Sequence, residues 1–225
     1  MTTHQSTLTG EDAAMRDAME RMANSYDSYM RTMTLGREGA LRDMTVRLAQ
    51  IKPGDQVLEV GCGTGSLTLP AKRKAGPTGK VNGIDQIPQM IELSRQKAER
   101  AGEDITFQTG SIDDIPFPDS QFDVVLCSFM IFHMSEGTRR KGLKEIWRVL
   151  KPGGQLLVLD LARPDHPLER FIAMRLFGGM LQHDLRELLP VMAESGFVGA
   201  EMGMAPFRVL FLSVLGFVRG CARKA

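Results

Sequence analysis

The sequence predicts an α/β protein: a doubly wound, mostly parallel sheet of about seven strands with one antiparallel edge strand and an N-terminal helical cover. Three observations predict it. Apolar, β-branched runs alternate with helical stretches from residue 56 to residue 160, the pattern of a parallel sheet with helices on both faces. Turn-forming clusters, Lys52-Pro53-Gly54-Asp55 and Lys151-Pro152-Gly153-Gly154, punctuate those runs. After Asp160 the alternation gives way to an apolar helical insert and two closing strands.

Each element follows in order. Residues 11–50 are helical in pattern, with a break at Gly36 and Gly39. Gln56–Val60 is the first strand and Ser66–Lys74 the first helix after it. Lys80–Ile84 is a strand, and Pro88–Ala101 a helix opening on proline, whose missing N–H has no partner to lose in a first turn. Ile105–Thr109 and Phe122–Cys127 are strands. Glu136–Leu150 is a helix stopped by Lys151–Gly154, and Gln155–Asp160 is the fifth strand. Leu168–Met180 and Asp184–Ser195 are helices, and Gly196–Met202 and Phe207–Val218 the last strands. The assembly is Rossmann-like.

Composition narrows the function. A chain of 225 residues with 43% hydrophobic and 24% charged residues is ordinary for a globular protein. Lys and Arg total 28 against 27 Asp and Glu, so no electrostatic feature points to a nucleic-acid partner. Cys62, Cys127 and Cys221 are too few and too scattered for a disulfide framework or a metal site, and imply a reduced, cytoplasmic protein. Met1–Asn24 lacks the apolar stretch of a signal peptide. The longest apolar run, Phe207–Val218, includes Arg208 and falls short of the roughly 20 residues of a membrane span. Fifteen methionines cluster at 15–44, 130–134 and 174–204, as core packing or as the lining of an irregular apolar site.

The most specific feature is Glu59-Val60-Gly61-Cys62-Gly63-Thr64-Gly65, between a strand and a helix. Gly61 and Gly63 let the backbone turn sharply and approach a ligand without a Cβ in the way. The helix that follows offers unpaired N–H groups to a carboxylate or phosphate. Asp85, at the end of the second strand, is placed to accept the hydroxyls of a ribose. The dinucleotide fingerprint GxGxxG would require glycine at position 66, which is Ser66, while the third glycine comes early, at Gly65. Glu59 would also sit badly beside a pyrophosphate and suits an ammonium group. An adenosyl amino acid fits better than a dinucleotide.

These residues resemble the first two motifs of the class I S-adenosylmethionine-dependent methyltransferases. The stretch 50–161 resembles the UbiE-like, ubiquinone/menaquinone-biosynthesis branch, through Gly110-Ser111-Ile112-Asp113-Asp114-Ile115-Pro116-Phe117-Pro118, Phe122-Asp123-Val124-Val125-Leu126-Cys127 and Leu150-Lys151-Pro152-Gly153-Gly154. The resemblance implies S-adenosyl-L-methionine as cofactor and S-adenosyl-L-homocysteine as product. It assigns Glu59, Gly61, Cys62, Gly63 and Gly65 to the methionine end, Asp85 to the ribose, and Gln86 and Met90 to the flanks of the adenosine. Ser111 and Ile112 go to the adenine, and Cys127 to the sulfonium region. The family usually has an acid where this chain has Ser111, which implies either that Asp113 takes its place or that the adenine is held less tightly. The chain then divides into a helical cover (11–50), a cofactor-binding core (51–161) and substrate-side helices with final strands (162–225), all within one domain over 1–225.

For the chemistry, His133 lies after the fourth strand, near the expected methyl position, as a general base or as a structural histidine. Tyr26, from the cover, is a candidate to close over the cofactor or simply to pack. His4 lies near the N-terminus, His166 in a proline-flanked turn, and His183 precedes Asp184, which reads as a helix N-cap. No His/Cys/Asp/Glu cluster has metal-ligand spacing. Met30, Met33, Phe129–Met134 and Phe171–Met180 are expected to roof the site, which suits a small apolar acceptor such as a quinone, polyketide, terpenoid or lipid headgroup. The alternative is a non-catalytic protein that binds the cofactor or its product.

Overall fold

The computed structural model describes residues 10–181 and 183–224; His4 lies outside them. Three helices, α1 (Gly10–Met22), α2 (Tyr26–Met33) and α3 (Glu38–Leu48), precede the sheet. The core then alternates through β1 (Gln56–Val60), α4 (Thr68–Ala75), β2 (Lys80–Asp85), α5 (Pro88–Ala101), β3 (Thr106–Thr109), β4 (Phe122–Ser128), α6 (Glu136–Val149) and β5 (Leu150–Leu161). The C-terminal part adds α7 (Pro167–Phe177), α8 (Leu188–Glu194), β6 (Phe197–Met204) and β7 (Leu215–Ala222).

The seven strands lie in the order β3-β2-β1-β4-β5-β7-β6. Neighbours from β3 through β5 are parallel, as expected of strands joined by crossover helices. Strand β7 runs antiparallel between β5 and β6, so the antiparallel strand stands one place in from the edge. The strand order reverses between β1 and β4, the switch point at whose carboxyl ends open α/β sheets bind ligands. The central strands read as unbroken apolar runs because both faces are covered. Val57, Leu58, Val125, Leu126, Leu156 and Val158 are essentially inaccessible to water.

Two boundaries depart furthest from the sequence expectation. The fifth strand begins at Leu150, with a register shift between Phe122 and Val124 that absorbs Lys151–Gly154. The last strand begins at Leu215, not Phe207. Residues 207–214 instead form a loop in which Val209 and Leu212 pair across a tight turn. Its two central residues, Leu210 and Phe211, are both left-handed, with φ of 48° and 67°. Turns of this kind ordinarily take Asn-Gly, so an apolar sequence gives no warning of one.

Candidate active site

The glycine loop is built by the end of β2. The amides of Gly61 and Cys62 both donate to Ile84 O, at 2.8 and 2.9 Å. Gly61 and Gly63 have φ of 70° and 52°, the left-handed region that favours glycine. A Cβ on Gly61 would lie 2.8 Å from Met130 Cγ, so the approach of β4's exit loop requires glycine there. Asp85 ties the arrangement together. Its Oδ2 accepts from Gly63 N–H at 2.9 Å and its Oδ1 from Ile87 N–H at 3.0 Å. Burial raises its carboxyl pKa, and these backbone donors oppose the rise.

The N-terminal helices are fastened over this loop at two places. In α1, Asp12 accepts from Ser135 N–H (2.7 Å), Ser135 Oγ (3.0 Å) and Thr138 Oγ1 (2.9 Å) at the start of α6. In α2, Asp27 accepts from Thr64 Oγ1 at 2.5 Å and pairs with Lys97 Nζ at 2.7 Å. Lys97 also donates to Thr64 and Ser66 at 2.9 and 2.8 Å. Burial works against the charge on Asp27, but the hydrogen bonds from Lys97 and Thr64 win and lower its pKa.

Between these fastenings lies a cleft lined by Tyr26, Gly61, Gly63, Asp85, Gln86, Met90, Ile112 and His133. Eight residues singled out in the sequence thus meet in one place. His133 ends a short 3-10 turn after β4. Part of its ring is exposed, but the concave wall around it removes enough water to lower its pKa below the usual 6.5. Burial raises the Tyr26 hydroxyl, with Arg42 opposing.

Five expected ligand residues do not line the cleft. Glu59 is enclosed behind β1, where it accepts from Thr68 Oγ1 at 2.5 Å. Burial pushes its pKa up to about 7, against the Thr68 hydrogen bond and the Arg42 charge. Cys62 points away into a cluster with Ile91, Ala98 and Phe107. Gly65 packs on Phe107 and Ser94. Ser111 donates its hydroxyl to Asp113, behind the loop that Ile112 fills. Cys127 is part of the main core, its thiol pKa raised by burial. Glu59 alternates with Val60, which lines the cleft, and so points to the other face of the sheet, whereas Cys127 is in register with Val60 but is taken up in the core.

The roof also differs. Phe129, Met130, His133 and Met134 line the cleft. Met30 and Met33 pack instead into a neighbouring apolar cluster, and no residue of α7 reaches the cleft. His166 stands exposed before α7. His183 pairs with Glu187 at 3.5 Å and stacks on Phe132, and Asp184 forms a capping box with Glu187. Asp12 and Arg16 of α1, with Ser128 and Thr138, line the cleft without any signal in the sequence, while Met15 and Met19 belong to the methionine cluster at 15–44 read as core packing or site lining. Their place depends on how the cover folds back, which local pattern does not encode. Among the described residues no group of three or more His, Cys, Asp or Glu is arranged to hold a metal ion, and no helix is long and apolar enough to cross a membrane.

Comparison with known proteins agrees with this geometry. The chain is 35% identical over 165 residues to the demethylmenaquinone methyltransferase of Symbiobacterium thermophilum, a match covering 72% of this chain and 64% of that protein. It is 31% identical over 187 residues to the ubiquinone/menaquinone biosynthesis C-methyltransferase UbiE of Geotalea daltonii, covering 82% and 75%. The chain thus spans just under two thirds of the length of the first relative. A solved SAM-dependent methyltransferase from Aquifex aeolicus superposes with a TM-score of 0.66 at 22% identity, over 90% of this chain and 97% of that one, which shows the shared fold. Residues 7–188 match the family model described as the ubiE/COQ5 methyltransferase family; with the glycine loop, Asp85 and the cleft at the β1–β4 switch point, the chain belongs to that family.

Proposed function

We propose that the protein transfers a methyl group from S-adenosyl-L-methionine to a small apolar acceptor of the quinone class, in the cytoplasm. The observation that carries this reading is the convergence of Gly61, Gly63 and Asp85 with His133 and the apolar Phe129-Met130 wall on one cleft. The lining fits the cofactor. A carboxylate at Asp85 suits two ribose hydroxyls, and Ile87, Met90 and Ile112 suit the faces of a purine. Bare backbone at Gly61 and Gly63 suits the methionine end. When bound, the cofactor supplies a methyl group made electrophilic by its sulfonium.

In this reading Asp85 orients the ribose while Gly63 N–H and Ile87 N–H hold its carboxylate in place. Tyr26 and the helices fastened through Asp12 and Asp27 exclude water. Glu59 acts from behind the loop, where its hydrogen bond from Thr68 Oγ1 ties the end of β1 to the start of α4. His133, kept neutral by desolvation, takes the proton that the acceptor loses. Much of the acceleration then comes from holding acceptor and methyl in line. The names of the relatives support a quinone-type ring as the acceptor.

The test is incubation with methyl-labelled S-adenosyl-L-methionine and a cell extract, beside a Gly63→Asp control. Label in the organic-soluble fraction, absent from the control, is the expected result. Label in protein or RNA would overturn the acceptor class. Cofactor binding with no label in any fraction would favour a non-catalytic binder, and neither binding nor label would sink the reading.

A further inference from the structure

Helix α7 is turned the wrong way round for a helix packed on a sheet. Its sequence, Pro167-Leu-Glu-Arg-Phe-Ile-Ala-Met-Arg-Leu-Phe177, places Leu168, Phe171, Ile172 and Leu176 on one stripe at the i, i+3, i+4, i+8 spacing that ordinarily faces a core. That stripe faces outward: Leu168, Phe171 and Leu176 are 61%, 66% and 59% exposed. Only Ala173 and Phe177 are buried.

Two neighbouring segments extend this face. The loop 205–214 buries Phe207, Val209 and Leu212 in the same cluster as Ala173 and Phe177, and turns outward at Leu210-Phe211. Phe211, at 79% exposed, is the most exposed large apolar residue described, and it holds a left-handed backbone that bulky side chains avoid. The α2–α3 turn adds exposed Leu35, and Arg37 lies over the Phe207 ring at 4.9 Å. Single exposed apolar residues need no explanation, but a contiguous set of them does.

Charge identifies the partner. Segments 31–37, 167–177 and 205–214 contain Arg31, Arg37, Arg170, Arg175 and Arg208, all exposed, and one carboxylate, Glu169. Glu169 is already occupied by Arg208 at 3.5 Å and Ser213 N–H at 3.1 Å. An apolar aromatic face rimmed by guanidiniums complements a bilayer bearing anionic headgroups, with acyl chains for the stripe and phosphates for the arginines. We propose that α7 and the Leu210-Phe211 tip dock the protein on the surface of an anionic lipid bilayer. Helix α7, about 16 Å long, lies in the plane of the interface, with Phe171, Leu176 and Phe211 inserted. The apolar cluster beneath this face is also packed by Tyr26 and Phe129, which line the cleft, so the cleft stands next to the docked surface. The docking stands independently of the methyl-transfer reading.

The test is flotation of the purified protein with phosphatidylcholine vesicles and with vesicles in which about one lipid in four is phosphatidylglycerol. The protein should partition to the anionic vesicles and be released by salt. Phe171→Ser with Phe211→Ser should lower that partition about tenfold. Arg31→Gln with Arg175→Gln should lower it by a similar factor on anionic vesicles alone. Both double variants should keep the thermal midpoint and S-adenosyl-L-homocysteine binding, since the substituted side chains are exposed. Failure of the parent protein to float with anionic vesicles would overturn the proposal, as would flotation unchanged in both double variants. A dimer in sedimentation that Phe171→Ser/Phe211→Ser splits, without vesicle binding, would overturn it in favour of a second copy of this chain.

Discussion

Asp27 Oδ2 lies 2.7 Å from Lys97 Nζ, joining the N-terminal cover to α5 beside the glycine loop. Thr64 stands between them, donating to Asp27 and accepting from Lys97. Both partners are partly exposed, so the pair itself contributes under about 1 kcal/mol to stability. Its larger effect is on how long the cover stays shut. Asp27→Ala should change the thermal midpoint little and speed the release of S-adenosyl-L-homocysteine about fivefold, roughly 1 kcal/mol in barrier. Stopped-flow displacement reads this directly. An unchanged release rate would mean that the cover is held by α1 and Asp12 alone.

Gly61 faces two separate constraints, and a double-mutant cycle separates them. Its φ of 70° costs an L-residue about 1–2 kcal/mol. A Cβ would also lie 2.8 Å from Met130 Cγ, an overpacking cost of about 1–3 kcal/mol. Gly61→Ala should therefore destabilise by roughly 2–5 kcal/mol in urea unfolding. Adding Met130→Ala should restore only the steric part, giving a favourable coupling of about 1 kcal/mol or more. Strict additivity would mean that Met130 yields without cost.

These residues also show what the sequence could and could not convey. The placement of the glycine loop and Asp85 on one cleft is legible because it is set locally, by backbone conformation and strand ends. The parallel core was legible because doubly covered strands must be continuously apolar. Cys62, Ser111 and Cys127 lie off the cleft because spacing identifies an element but neither the direction nor the depth of each side chain. The contribution of Asp12 was invisible, since its partners Ser135 and Thr138 lie more than a hundred residues away. The stripe on α7 read as a roof for the site because periodicity reports that a face is apolar and is silent on what it meets.

His133 sets the expected acid limb of the reaction. Desolvation lowers its pKa below 6.5, so it is neutral at pH 7 and becomes charged only as the pH falls through that lowered value. Methyl transfer should therefore decline on the acid side below pH 6.5 and hold steady above it. His133→Asn should lower kcat by about a hundredfold, the usual contribution of a positioned base, and abolish the acid limb while leaving cofactor affinity intact. Should the variant keep the wild-type pH profile, the limb belongs to the acceptor and His133 is structural.

Asp160 makes the stability of the fold depend on pH in the opposite sense to an ion-paired carboxylate. At the end of β5 it is 6% exposed, its Oδ1 accepting from Leu161 N–H at 2.8 Å and the carboxyl also held by a backbone hydrogen bond from Phe132. Burial pushes its pKa up to about 7, with backbone hydrogen bonds and the charge of Arg139 only partly opposing. The folded chain thus holds this proton more tightly than the unfolded chain, whose carboxyl titrates near 3.8. The stability that the neutral carboxyl contributes is fully present below about pH 4 and is lost as the pH rises through 7. Asp160→Asn removes the titration while keeping the size of the group. Its free energy of unfolding in urea should match the wild type near pH 3.5 and exceed it at pH 8, by a margin on the order of 4 kcal/mol. Parallel pH curves for the two proteins would show instead that Asp160 stays ionised, with Arg139 carrying its charge.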